Sequence, residues 1–252
     1  MKLILRNSLF ALSCVFLLAA NANAQPVGFG CLGLSGFYAG YSQQSFSTQG
    51  INEFVNQQLL ILDPTGKIFT DQIEFQKGTG YRIGANFVRV RFGKFFFSAK
   101  GYYQFLKETH ETTGQFPNVS IRENFQLTMN HWGVGLDLGI KIFSLLDWKI
   151  AEGEATFFNA EFTHETFSDN VSQGAVKYNP QKNKFGYFLG TGLILQLIPD
   201  YISIEGTGGY NFIVIDNMSN SNITIPPVGS DKKAVDKGNF GATIQLNVGF
   251  PL

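Results

Sequence analysis

The chain is 252 residues long and carries 19 Lys and Arg against 19 Asp and Glu, so its formal net charge at pH 7 is zero. That balance gives no electrostatic reason to expect a nucleic-acid partner, and two cysteines are too few for a disulfide framework. The length suits one domain of barrel or sandwich type.

The chain begins with Lys2 and Arg6, an apolar run from Leu9 to Ala20, and the small residues Ala22-Asn23-Ala24. A basic start, a short apolar middle and small residues at the cleavage positions are the anatomy of a secretory signal. The run falls short of the about 20 apolar residues of a spanning helix. Residues 1–24 are therefore read as a signal peptide and 25–252 as the exported domain. Removing Lys2 and Arg6 from the 19 basic residues leaves 17 against 19 acidic ones, and Cys31 is the sole remaining cysteine. Beyond the signal no run is apolar enough for a spanning helix, so any membrane crossing falls to strands.

Eight runs alternate apolar with small or polar residues, the period of a strand whose two faces meet different surroundings. They cover roughly 34–46, 78–92, 95–107, 124–142, 148–165, 184–198, 201–214 and 238–250. The last has Phe240, Ala242, Ile244, Leu246, Val248 and Phe250 on one face, with Gly241, Thr243, Gln245, Asn247 and Gly249 on the other. Three runs change phase, as near Val88, where Val90 and Phe92 take over from Ile83, Ala85 and Phe87. A bulge produces such a shift. Gly133, Gly135, Gly190 and Gly192 fall inside strands, where curvature or close packing calls for them.

The connections alternate in length. Short ones fall at Gly93-Lys94, Ser144 to Asp147 and Pro199-Asp200; long ones centre on 47–77, 108–123, 166–183 and 215–237. This is the pattern of an up-and-down barrel with short periplasmic turns and long external loops. Ile51, Phe54, Val55, Leu59 and Leu62 in the first long loop are spaced for a short helix, on the rim or folded over the mouth as a plug. The fold expected is all-β, an eight-stranded antiparallel up-and-down transmembrane barrel with its four long connections at one end.

With the terminal strand ending at Phe250, the pattern over nearly the whole exported chain resembles the small eight-stranded outer-membrane barrels of the OmpA/OmpX type. Members of that class finish on an aromatic residue, whereas here Pro251 and Leu252 follow Phe250. The resemblance implies insertion among outer-membrane lipids of a bacterium, with roles in the class that range over structural, adhesive, transport and lipid-modifying work.

Residues that carry chemistry are sparse. Thr109-His110-Glu111-Thr112 and Thr163-His164-Glu165-Thr166 repeat one tetrapeptide at the outer ends of two strands. A shared metal site would have to bridge about two strand spacings of 4.8 Å, which favours plain polar rim residues. A serine hydrolase arrangement of His164, Ser168 and Glu161 has the residue types but no spacing that assembles them. Gly-rich phosphate loops and multi-cysteine metal patterns are missing from the sequence, so neither catalytic residues nor a cofactor nor a metal is assigned. Tyr41, Phe105, Trp132, Trp148, Phe162, Tyr187 and Tyr201 are read as interfacial girdles rather than a ligand platform.

The sharpest expectation concerns the interior. Arg89, Arg91, Lys100 and Lys141 and the acids Asp137, Glu152, Glu154 and Glu205 lie on the polar faces near short turns. In an eight-stranded barrel side chains just fill the lumen, and unpaired charges there are costly. These eight are expected to pair and close the passage. The first functional reading is then a structural or surface-interaction barrel whose long loops meet an external partner. The alternative is a small-molecule transport or lipid-modifying barrel with a site at its outer mouth. A soluble β-sandwich, which would bury the apolar faces, is the third.

Overall fold

The computed structural model describes residues 35–69, 73–181, 184–199, 201–221 and 223–249. Residues 1–24, read above as a signal peptide, Cys31, Asp200 and the terminal Phe250-Pro251-Leu252 lie outside the described residues. Among the described residues eleven strands and one helix follow in chain order: β1 (Gly36–Ser47), α1 (Gln49–Leu62), β2 (Lys77–Phe92), β3 (Phe95–Phe116), β4 (Val119–Lys141), β5 (Leu146–Ser168), β6 (Val171–Pro180), β7 (Lys184–Ile198), β8 (Ile202–Phe212), β9 (Met218–Ser219), β10 (Thr224–Ile225) and β11 (Lys237–Gly249).

Eight of these strands, all antiparallel, close into a barrel in the order β1-β2-β3-β4-β5-β7-β8-β11, and β11 returns to β1 from Gly36↔Gly249 to Ser47↔Lys237. Each coincides with one of the eight runs read from the sequence. Closure pairs every edge, the condition for strands in hydrocarbon. The phase change in β2 is a bulge, because the register against β3 slips between Asn86 and Val88.

The loop expected around 108–123 is a correction. β3 and β4 pair without a break from Phe95↔Ile140 to Phe116↔Val119, so only Pro117 and Asn118 separate them. The fifth connection is likewise partly strand. β5 turns at Asp169 and Asn170, both at positive φ, into β6, which pairs back from Ser168↔Val171 to Phe162↔Tyr178. Two consecutive left-handed residues make a tight hairpin whose twist matches its strands. β3, β4, β5 and β6 thus stand beyond the barrel as a blade, with β9 bonded to the end of β6 at Asn179 and Pro180.

The sequence pattern hides this blade because apolar and polar faces exchange along unbroken strands. In β3, Ser98, Lys100 and Gln104 are buried and Phe95 and Phe105 exposed, whereas beyond Phe105 the buried residue is Leu106 and the exposed one Lys107. In β4, Trp132, Val134, Leu136 and Leu138 are exposed, while further out Phe125, Leu127 and Met129 are buried. β5 exchanges at Phe157 and Phe158. These points share one level, since Gln104 pairs with His131 and His131 with Phe158. No bulge lies there in β3 or β4; the surroundings change from hydrocarbon to water.

Below this level the wall shows lipid an apolar belt bounded by aromatic rings. Tyr103, Trp132, Phe157 and Phe185 are cross-strand neighbours at its outer margin, and Phe92, Phe95, Trp148 and Tyr201 lie near the short turns. Of the residues read as girdles, Phe162 is a correction: it is fully buried in the outer core. The glycine at 133 has a packing reason, because a Cβ there would come within 2.2 Å of the Tyr102 ring.

Candidate functional site

The interior is filled twice, by different chemistry. In the half toward the short turns, Lys100 contacts Glu152 and lies 2.9 Å from Glu154 and 3.3 Å from Asp137. Lys149 contacts Glu205 and lies 3.2 Å from Glu152 and 3.4 Å from Asp137. Arg82 grips Glu154 through both terminal nitrogens, at 2.8 and 3.3 Å, and its guanidinium lies over the Tyr102 ring at 3.9 Å. The Tyr102 hydroxyl donates to Oε2 of the same carboxylate at 2.5 Å, the oxygen that the second guanidinium nitrogen also meets. Nearest the turns, Asp147 lies 2.9 Å from Arg91 and 3.5 Å from Arg89 and accepts the Gln196 amide at 3.0 Å. Ser98 donates to Asp137 and Asn247 to Glu205. Charge-assisted and forked bonds of this kind are the strong ones, and apart from the half-buried Arg89 and Arg91 the groups that make them are buried within the wall.

Of the eight residues read as the lumen cluster, Lys100, Asp137, Glu152, Glu154 and Glu205 are buried in this network and Arg89 and Arg91 join it half-buried. Lys141 does not join. It ends β4, is exposed, and donates its amide to Lys94 across the turn, where bulk water solvates the ammonium. The sequence reading missed Arg82, Asp147 and Lys149. Arg82 carried a usable signal, since it sits two residues from Gly84 on the small and polar face of β2. Lys149 did not: the ladder slips between Lys149 and Glu152, and that irregularity alone turns Lys149 to the side that Glu152 and Glu154 occupy. The network then balances, with five cations (Arg82, Arg89, Arg91, Lys100, Lys149) and five anions (Asp137, Asp147, Glu152, Glu154, Glu205).

The outer half holds a hydrophobic core. α1 drives Ile51, Phe54, Val55 and Leu59 into it, and Phe54 meets Phe162 and Tyr178 edge-on at 6.0 and 5.3 Å. Ile213, Ile215, Met218, Ile225 and Val235 close it from the last long connection. The helix thus lies inside the mouth of the blade and barrel, packed there by its apolar face. Thr48 donates to the Phe75 carbonyl, and the Asn52 amide both accepts from Phe75 N at 2.8 Å and donates to its oxygen at 3.2 Å. These bonds tie the two ends of the first loop together. At the far end of α1, Asp63 accepts the Thr65 hydroxyl at 2.7 Å and the amides of Ile68 and Phe69, which hold its carboxyl down at about 2.

The two repeated tetrapeptides lie on either side of β4, where His110 and His164 are both register partners of Phe125. His164 stacks on Phe125 at 4.5 Å and meets Glu123 at 2.5 Å, and Glu123 also accepts the Thr166 hydroxyl at 2.9 Å. His110 packs on Phe75 and meets Glu108 at 3.1 Å. Among the described residues no group of three or more His, Cys, Asp or Glu side chains is placed to hold a metal. The hydrolase arrangement fails on geometry. Glu161 points away from the core and is ion-paired to Lys177 at 2.9 Å, so the acid beside His164 is Glu123 instead.

A closed eight-stranded up-and-down barrel with an apolar belt facing out, aromatic margins and charges facing in defines a small outer-membrane β-barrel, and the bacterial outer membrane is its location. Neither a family model nor a curated protein sequence matches the chain. Solved structures similar to it include Neisserial surface protein A, at 10% identity over 90% of this chain and 100% of that one with a TM-score of 0.42. The attachment invasion locus protein Ail of Yersinia pestis is similar at 12% identity over 85% and 97%, with a TM-score of 0.38. The outer membrane protease OmpT from Escherichia coli is similar at 9% over 86% and 94%, with a TM-score of 0.37. At these values the likeness carries no inference about activity.

Proposed function

We propose that this protein is a non-conducting anchor that presents the β3–β6 blade and the loops around it to an extracellular partner, after residues 1–24 have been removed on export. The observation that carries this reading is the double filling of the interior. Ten charged side chains occupy the inner half and α1 with its aromatic partners occupies the outer half, a filling that supports a lumen closed to hydrated solutes. What the molecule offers outward is the blade. Its edge strand β6 has an exposed stretch from Val171 to Lys177, while its other edge is bonded to β5. Unpaired strand edges are templates for a partner's strand.

The pore half of this reading is tested by planar-bilayer recording on purified protein, where no large steady conductance is expected and a stable open channel would overturn it. The contact half is tested on cells that display either the whole protein or a variant in which the exposed residues 171–177 are replaced by a Gly-Ser segment of the same length, so that the buried Tyr178 is kept. Attachment to other cells or surfaces is expected to drop in the variant while the folded, heat-modifiable gel band persists. Unchanged attachment would show that the blade edge is not the contact.

A further inference from the structure

The outer wall carries a groove of about 590 Å³ that the lumen does not explain, a volume within the range of about 300–1,000 Å³ of small-molecule sites. Its sides are Ile83, Phe87, Tyr103, Trp132 and Phe157, and its floor includes Gly101, against which the Phe87 ring lies so closely that a Cβ would come within 2.7 Å of it. Trp132, Ile83 and Phe157 are more than half exposed, so the groove opens outward through the belt. In a bilayer its contents are hydrocarbon, because a void would forfeit the dispersion contacts of every lining atom.

Directly above it on the same face of β3, four residues on from Tyr103, stands Lys107. At the rise of a strand this is about 13 Å further along β3, and it lies just beyond the level where the wall passes from hydrocarbon to water. Lys107 is flanked in register by Thr79 of β2 and Thr128 of β4, so one ammonium and two hydroxyls share a cross-strand row. Lys77 stands exposed one alternation further out on β2. Gln126, hydrogen-bonded to Thr128 at 3.1 Å, and Asn130 extend the row with amides. Two acids border the row: Glu161, in line, is ion-paired to Lys177, and Glu108, next to Lys107 in β3, is held by its carboxylate on the backbone amides of Gln76 and Lys77. The ion pair of Arg122 with Glu111 involves neither Lys107 nor Lys77, which are both exposed.

We propose that this face binds a phosphorylated glycolipid of the outer leaflet. One acyl chain fills the groove over Gly101, the phosphate meets Lys107 and Lys77, and sugar hydroxyls meet Thr79, Thr128 and Gln126. The occupant is argued from charge and polarity in sequence along one strand face: an apolar slot, then an aromatic margin, then cations set among hydroxyls and amides. That order matches such a lipid from chain to headgroup.

The test uses the intact barrel with Trp148→Phe, which leaves Trp132 as its tryptophan. It is reconstituted in phosphatidylcholine bilayers with a small fraction of lipid A whose chains are brominated, and quenching of Trp132 is read against the fraction added. Quenching well above the statistical share is expected, falling roughly fivefold for each of Lys107→Gln and Lys77→Gln, from the about 1 kcal/mol that a basic side chain contributes at an anionic membrane surface. Both variants change exposed residues, and the heat-modifiable band checks that they fold. Quenching at the statistical share in the parent, or unmoved by the lysine variants, overturns the proposal. So does equal enrichment of dephosphorylated lipid A or of brominated phosphatidylglycerol, which would point to chain packing or to charge without the sugar.

Discussion

The two halves of the interior are built on the same strands and the same inward faces, yet one is filled with ion pairs and the other with phenylalanines. Below the level of Gln104, His131 and Phe158 the outside is hydrocarbon, so apolar side chains gain nothing by turning inward and the inward positions fall to polar ones. Above it the outside is water, the hydrophobic effect returns, and the same strands bury Leu106, Phe125, Leu127 and Phe162 around α1. Which face of a strand is apolar is a property of the solvent at that height.

The comparison breaks first at the charges. Lys149→Met leaves Glu205 without its closest cation and Glu152 with Lys100 alone, and is expected to cost about 3–5 kcal/mol, the range for removing one member of a buried pair. The readout is the urea midpoint of the folded band in detergent. Replacing Lys149 and Glu205 together by Met should recover most of that loss, since a matched apolar pair can stand in for a buried ion pair. If the double variant is as unstable as the single one, the network is not held by pairing.

In the outer half, Ile51→Ala removes a fully buried side chain of α1 and is expected to cost about 2–5 kcal/mol, but locally. The segment 48–76 should become open to proteolysis while the barrel keeps its heat-modifiable band. Loss of the band would mean that the halves fold as one unit. At the belt, Leu136→Arg should destabilise by about 2–4 kcal/mol, as a cation at mid-membrane does, whereas Thr163→Arg, outward but above the exchange level, should be near neutral. Equal costs would misplace the level.

The smallest effect is one of pH. The hydrogen bonds of Asp63 lower its carboxyl to about 2 from the ordinary 3.8, so the stability they add is present above the ordinary value and is lost as pH falls through it toward 2. Protease resistance of the 63–69 turn should decline over that window in the parent and be independent of it in Asp63→Asn. A decline toward higher pH would have the wrong sign.

Much of the architecture was legible in the residues. The eight alternating runs, the bulge beside Val88 and the helix at Ile51 to Leu62 all have local causes, namely strand period, a local slip and helical spacing. The blade was not legible, because strands that continue through a change of solvent look, in sequence, like strands that stop. The charged interior was legible where alternation ran unbroken, as at Lys100, Asp137, Glu154 and Glu205. It failed at Lys149, which an irregular ladder turns inward, and at Lys141, which alternation places inward and the end of the wall returns to water. The sequence by itself determined that these strands would close a barrel around charges, since backbone in lipid must be paired and side chains in lipid must be apolar. Only the tertiary structure decided which charge meets which, and that a helix from the first loop would fill the mouth. Those outcomes depend on register and on packing between residues far apart in the chain, where local period carries no information.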